Sequence, residues 1–279
     1  MKVSKIKFND ENAPIQFTQS LKSSGFAVLN NHPISKILIK LVYNEWLEFF
    51  KSNNKNDYLF DKIKQDGYFP YKTENAKGFK SKDLKEFYHY YPWGKSPKGL
   101  SNNTLTLYNQ LVELASTLLE WIEVSCPRKI KNKFSIPLNK MIENSDSNLF
   151  RIIHYPPINH HKITDSIRAA PHEDINLITI LIAGTEPGLQ LKDKEGNWLN
   201  VDTNIDSIIV NIGDMLSEVS QNYFPSTTHQ VINPQTKDNN VSRFSMPLFL
   251  HPEGRTILSK GYTAEKFLDE RLKEIGLKD

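Results

Sequence analysis

The sequence predicts a mainly β protein with flanking helices: a sandwich or double-sheet jelly roll in the second half, behind a helix-rich first half. Three observations carry this. From about residue 149, short apolar runs follow one another between turn signals such as Gly184, Pro187-Gly188, Glu195-Gly196-Asn197 and Asn233-Pro234. Two earlier stretches place their apolar residues at helical spacing instead. The residues suited to chemistry lie far apart in the chain, and the mouth of a β roll can reunite them.

The first helix is expected over Ile34–Phe50, where Ile34, Ile37, Leu38, Leu41, Val42, Leu47 and Phe49 form one stripe. The second spans Leu107–Ile122, with apolar positions 107, 111, 114, 118, 121 and 122. It should close at Cys126, because the residue before a proline avoids the helical region. Stripes of this kind pack against a sheet. Between them, Gly67–Pro70 and Phe87–Trp93 are dense in aromatics and read as buried strand or loop. The expected strands are Leu149–Tyr155, Asn176–Ile182, Gly188–Lys192, Trp198–Val201, Ser207–Ile212, His229–Ile232 and Arg243–Leu250. A last helix over Thr263–Lys273 carries Phe267, Leu268 and Leu272. Residues 1–148 and 149–279 thus form two regions of one compact unit.

Composition narrows the class. A formal charge of +3 and 38% hydrophobic residues describe a soluble globular chain, and 279 residues can bury a sizeable core. No basic stripe with interleaved aromatics points to nucleic acid. No apolar run approaches the ~20 residues that span a bilayer, and the start lacks a signal-peptide core. Cys126 is the single cysteine, so no intrachain disulfide can form and a reducing cytoplasm is the expected compartment.

The chemistry concentrates in two clusters. In a strand, residues i and i+2 share a face, so His172 and Asp174 can project together while Glu173 points away. His229, in another expected strand, supplies a third ligand. Two imidazoles and a carboxylate on one face of a metal leave the other face open, as non-haem Fe(II) chemistry requires. Arg243 and Ser245 repeat the i, i+2 relation inside the run Phe244–Leu250. A guanidinium buried there is costly unless an anion meets it, and its planar fork suits a carboxylate. A dicarboxylic acid chelating iron at one end and reaching Arg243 at the other would explain both clusters.

Together these residues resemble the isopenicillin N synthase-like branch of the Fe(II)/2-oxoglutarate-dependent oxygenases. That branch has His-x-Asp, a histidine some fifty residues on, and Arg-x-Ser soon after. Arg151-Ile152-Ile153-His154-Tyr155-Pro156 is similar to its strand ending in Tyr-Pro, whose tyrosine commonly binds the cosubstrate. Pro187–Leu191, Val210–Asp214 and His251-Pro252 are similar to its connecting segments, and Gly25–His32 followed by Phe49-Phe50 to its N-terminal region. The resemblance implies a double-stranded β-helix core with Fe(II) held by His172, Asp174 and His229. It also implies 2-oxoglutarate held by Arg243 and Ser245 with Tyr155 assisting, and oxidation of a small organic molecule, by hydroxylation in the first instance. Three departures stand out: Ile153 where many plant members carry asparagine, Gln230 where arginine often follows the distal histidine, and Pro171 directly before His172.

Two other functions fit the same residues. A 2-oxoglutarate-independent iron oxidase of the same family would keep Arg-x-Ser, and a jelly-roll binding or sensor protein would need no catalysis. The remaining histidines fall into groups. His160 and His161, in Asn159–Lys162, read as solvated loop, as does Lys237–Asn240. His32, His89 and His154 read as structural, and His251 as a cavity residue or a strand end. Asp214 reads as a turn residue, and Phe249 as either a shield for the oxidant or core. The substrate and the oligomeric state are not legible.

Overall fold

The computed structural model describes all residues except 1–2, 75–80, 159–165, 203, 205, 236–239 and 279. The segments His160-His161 and Lys237–Asn239 therefore lie outside the described residues. The chain opens with β1 (Lys5–Lys7), α1 (Ala13–Ser24), β2 (Phe26–Asn30) and α2 (Lys36–Lys51). After a 3-10 turn come β3 (Gly67–Phe69), β4 (Glu86–Tyr90), α3 (Asn103–Ser125), α4 (Arg128–Lys131) and α5 (Leu138–Met141). The strand-rich half holds β5 (Leu149–Tyr155), β6 (Ala169–His172), β7 (Ile178–Ile182), β8 (Leu189–Lys192), β9 (Trp198–Asn200) and β10 (Ile208–Ile212). It continues with α6 (Asp214–Val219), β11 (His229–Val231), β12 (Arg243–Leu250), β13 (Ile257–Ser259), β14 (Tyr262–Thr263) and α7 (Ala264–Glu274).

The helices begin and end for local reasons. α2 starts at Ser35, whose hydroxyl accepts from the Leu38 amide at 3.3 Å. α1 stops at Gly25, which takes φ 70° and returns its amide to the Leu21 carbonyl. A Cβ there would also strike the Pro225 carbonyl and Thr227, so close approach as well as φ requires glycine. α3 ends at Cys126, directly before Pro127, where the sequence placed its end.

An eight-stranded sheet runs β1-β2-β10-β7-β12-β5-β4-β3, and a four-stranded sheet runs β6-β11-β8-β9. The helices cover the outer face of the larger sheet. There Trp46, Leu111, Leu118, Ile152, Ile180 and Leu248 belong to one apolar cluster. A smaller cluster, including Val28, Ile153, Leu181, Leu191, Ile209 and Val231, fills the space between the sheets. This is the jelly roll, with alternate residues of each central strand facing helix and interior. Strands β5 and β12 run over the residues expected. The first half, expected to be helix-rich, also supplies four strands, so the larger sheet is built across the 148/149 boundary. β3 and β4 pair with each other and β4 with β5, which turns the aromatic segments Gly67–Phe69 and Phe87–Tyr90 into wall. Among the described residues, no helix is long and apolar enough to cross a membrane.

Leu118 is fully buried where α3 meets the sheet. Leu118→Ala should cost about 3 kcal/mol of stability through lost transfer energy and a residual cavity. A urea unfolding curve measures it, and a loss under ~1 kcal/mol would show that the helix layer collapses to refill the site.

Candidate metal centre

The smaller sheet delivers the two histidines. β11 pairs antiparallel with β6, setting His229 opposite His172, and the ring centroids stand 4.4 Å apart. The His172 Nδ1 donates to the Ala170 carbonyl at 2.8 Å, and the His229 Nδ1 donates to the Thr227 carbonyl at 3.1 Å. A carbonyl only accepts, so each Nδ1 carries the proton and each Nε2 is left with a lone pair for a metal. Phe26 closes on His229 edge to face, at 5.5 Å.

Asp174 arrives differently from the expectation. β6 ends at His172, and Asp174 sits on the connection to β7 rather than two residues along a strand. Its backbone carbonyl accepts from the Asp214 amide at 2.7 Å. Its Oδ2 accepts from Thr179 Oγ1 at 2.5 Å and Asn211 Nδ2 at 2.8 Å. Thr179 and Asn211 are register partners on β7 and β10, so the larger sheet grips one carboxylate oxygen. The other, Oδ1, faces His172 Nε2 at 3.9 Å and His229 Nε2 at 3.8 Å. All three ligand atoms lie within 4.8 Å of one another. Gly213 permits the tight connection, since a Cβ there would stand 2.1 Å from the Asn176 carbonyl.

Electrostatics suit a cation. Burial, with His229 beside it, pushes the His172 pKa down to about 4, keeping the imidazole neutral. Burial alone would raise the Asp174 pKa. The facing His229 and His172 and the Asn211 and Thr179 bonds outweigh it and hold the carboxyl below its ordinary value. Two neutral imidazoles and a carboxylate leave a bound divalent ion with net positive charge.

On the larger sheet, Arg243 pairs with Tyr155 and Ser245 with Ile153 across β12 and β5. The Arg243 guanidinium lies 5.0 Å from the Tyr155 ring centroid and donates Nε to the Glu186 carbonyl at 2.9 Å. Gly184 leaves room for it, because a Cβ would stand 2.5 Å from Nη2. Arg243 is 2% exposed and its Nη1 has no partner. The sequence had not singled out Arg168, which is 1% exposed, donates Nη2 to the Val241 carbonyl and leaves Nε unpartnered. Neither guanidinium makes an ion pair among the described residues, and the charge of Arg243 helps lower the Arg168 pKa behind the effect of burial. Two buried like charges with orphaned N–H groups fit an anionic ligand. Arg168 and the Thr179/Asn211 grip carried no pattern in one dimension, because their meaning lies in what they touch.

A cavity of about 830 Å³ reaches His172 and Asp174, and His89, Tyr91, Trp93, Arg151, Phe249 and His251 line it too. His251 thus faces the cavity, and so does His89, which the sequence read as structural. His154 and His32 do hold structure. His154 Nδ1 meets Glu86 at 2.7 Å, and His32 Nε2 meets the Asp206 carbonyl at 2.9 Å. Gln230 donates to Gln190 at 2.8 Å on the smaller sheet. Asp214 opens α6 and also lines the cavity.

Comparison with known proteins agrees with this geometry. Residues 147–252 match the 2OG-Fe(II) oxygenase superfamily, and residues 9–113 match the N-terminal region of the non-haem dioxygenases in morphine synthesis. The crystal structure of a candidate oxygenase from Shewanella oneidensis superposes with a TM-score of 0.90 and 50% identity, covering 99% of each chain. The 2-oxoglutarate-dependent dioxygenase citB of Monascus ruber is 33% identical over 110 residues, 38% of this chain and 32% of that protein. This chain therefore spans about a third of the length of that relative. Isopenicillin N synthase of Streptomyces jumonjinensis is 22% identical over 275 residues, 87% of this chain and 79% of that protein. The chain belongs to the 2OG-Fe(II) oxygenase superfamily, non-haem iron dioxygenases whose cofactor is Fe(II) and whose cosubstrate is 2-oxoglutarate.

Because Thr179 and Asn211 aim Asp174, Thr179→Val and Asn211→Ala should each weaken Fe(II) binding by about 10- to 100-fold. Anaerobic titration against a competing chelator measures this. Unchanged affinity in both variants would mean that the connection alone orients the carboxylate.

Proposed function

We propose that this chain catalyses Fe(II)- and 2-oxoglutarate-dependent oxidation of a small organic molecule, with hydroxylation as the first expectation. In this reading His172, Asp174 and His229 are the metal ligands, and Arg243, Ser245 and Tyr155 hold the far carboxylate of the cosubstrate. The observation that carries it is the triangle of His172 Nε2, His229 Nε2 and Asp174 Oδ1, each atom left free by a bond to its partner atom. When bound, Fe(II) and 2-oxoglutarate supply with O2 the oxidising power to attack a C–H bond, leaving succinate and CO2.

The chain's own residues position and exclude. Thr179 and Asn211 stop Asp174 from rotating its second oxygen onto the metal. The orphaned Arg243 Nη1 supplies a charge-assisted hydrogen bond, and the Arg168 charge raises the pull of the pocket on an anion. Phe249 walls the cavity on the side of β12 and keeps water from the reacting centre. The partner is a small-molecule substrate rather than nucleic acid or membrane. The single buried cysteine suits a reducing cytoplasm, where a ferrous site is easier to maintain.

Asp174→Ala and His229→Ala should abolish Fe(II) binding and with it the visible charge-transfer band that forms when 2-oxoglutarate is added without oxygen. Iron binding without that band, and oxygen consumption without succinate, would transfer the assignment to a 2-oxoglutarate-independent oxidase. No iron binding by wild type would favour a binding or sensor protein.

Gly184→Ala offers a finer check, because the new methyl displaces the Arg243 guanidinium and not backbone. It should raise the 2-oxoglutarate KM by roughly tenfold, the value of one charge-assisted hydrogen bond, with Fe(II) affinity kept. An unchanged KM would remove Arg243 from the cosubstrate site.

A further inference from the structure

Strand β5 presents Arg151, Ile153 and Tyr155 to the interior, but at different levels. Tyr155 is level with Arg243, whereas Arg151, four residues back and about 13 Å along the strand, is level with His89 on β4. Arg151 lines the cavity that reaches His172 and Asp174. A long, rotamer-rich side chain is ordinarily mobile in such a place, yet this one is fixed on several sides. Its guanidinium lies 4.6 Å from the Phe87 ring centroid and 5.3 Å from that of Phe249. Its Nε donates to His89 Nε2 at 3.0 Å, while His89 Nδ1 donates to the Gln65 carbonyl at 3.1 Å. That chain of bonds requires a neutral His89 with its proton on Nδ1. Burial, then the Arg151 charge, lowers the His89 pKa well below its ordinary value, which agrees.

Among the described residues, Arg151 makes one ion pair, a long one with Glu74, and its Nη groups donate no hydrogen bond. Glu74 is the nearest carboxylate, at 3.7 Å from Nη1, beyond hydrogen-bond reach. Glu74 instead stands 2.7 Å from Lys85 Nζ, which also meets Asp83 at 2.8 Å, so Lys85 is doubly compensated. Near the rim of the cavity, Arg255 pairs with Glu253, Arg271 with Glu274, and Lys278 with Asp269. Among the described residues, the Nη groups of Arg151 make no hydrogen bond, and unlike Arg243 this cation lines the cavity that reaches His172 and Asp174. A stacked guanidinium with its outer edge free presents the fork that meets a carboxylate in two parallel bonds.

We propose that Arg151 anchors the substrate, and that the substrate is a small organic acid whose carboxylate meets the free guanidinium edge. This rests on the iron-oxygenase reading above, and it gives β5 two jobs: Tyr155 toward the cosubstrate and Arg151 toward the substrate. His89 is a positioning residue that holds the fork in register. Phe249, which stands beside the Arg151 guanidinium and lines the same cavity, contacts the substrate's carbon skeleton.

The test uses the full chain loaded anaerobically with Fe(II) and 2-oxoglutarate. Hexanoate, benzoate and 3-phenylpropanoate serve as probes, each beside its primary amide. Binding is read from the shift of the charge-transfer band and, separately, from tryptophan fluorescence, because Trp93 lines the cavity. At least one acid should bind about tenfold or more tightly than its amide, the difference between a charge-assisted and a neutral bond pair. That margin should vanish in Arg151→Gln and shrink in Arg151→Lys, which keeps the charge and loses the fork. The melting temperature and 2-oxoglutarate titration of each variant separate lost recognition from lost fold. Equal binding of acid and amide, no binding of any acid, or a margin that survives Arg151→Gln would overturn the assignment. Failure of wild type to give the band would instead overturn the iron-oxygenase reading, with the fluorescence titration still deciding the role of Arg151.

Discussion

The grip of Thr179 and Asn211 on one oxygen of Asp174 is the interaction on which the rest of the site depends. Asp174 stands on the only direct link from β6 to β7, so it belongs to both sheets at once. The larger sheet holds Oδ2 from β7 and β10, and Oδ1 is thereby turned to two histidines on the smaller sheet. Rotating the carboxylate would break two buried bonds to keep none, a loss of about 1–3 kcal/mol for each group left unsatisfied. A site formed in this way needs both sheets packed at their final spacing. The apolar layer between them, with Ile153, Leu181, Leu191, Ile209 and Val231, is therefore part of the geometry of the candidate site and not merely of the core.

Buried charge in this molecule falls into two kinds. Lys85, Glu74 and Asp83 compensate one another, and Glu86 is met by Lys55 at 2.8 Å and His154 at 2.7 Å. The Glu74 carboxyl is held low because Lys85 and Arg151 outweigh its burial, which marks a network satisfied within the chain. Arg243 and Arg168 are the second kind, buried cations without an ion pair among the described residues and with orphaned N–H groups. Proteins keep such groups where a ligand completes them. The position of each kind is informative: the compensated network lies along the β4 wall, while the uncompensated pair lies where β12 begins.

Pattern and spacing revealed a good deal of this. His172, Asp174, His229, Arg243 and Ser245 were legible as candidates because metal and anion chemistry favour residue types that are costly elsewhere. The expected i, i+2 parity holds for Arg243 and Ser245 on β12 but not for His172 and Asp174, where β6 has ended. β5 and β12 were legible over their full lengths, since their alternation separates helix-facing from interior residues. Other features were not. Asp174 leaves the strand because Asn176 and Gly213 fold the connection tightly, a contact between residues 37 apart in sequence (213 − 176). Of the strands in the first half, β3 and β4 lay in aromatic segments that read equally as strand or loop, and β1 and β2 were not expected. His89 looked isolated because its partners, Gln65 and Arg151, come from β3's approach and from β5.

By itself the sequence determined a candidate ligand set, the jelly-roll class and the two long helices α2 and α3. Each of these rests on residue type and local period, which survive without knowledge of neighbours. Only the tertiary structure decided which oxygen of Asp174 is free, which nitrogen of each histidine carries the proton, and which buried cations lack a partner. Those are questions of who stands within about 3 Å of whom, and they are settled when strands distant in the chain come into register.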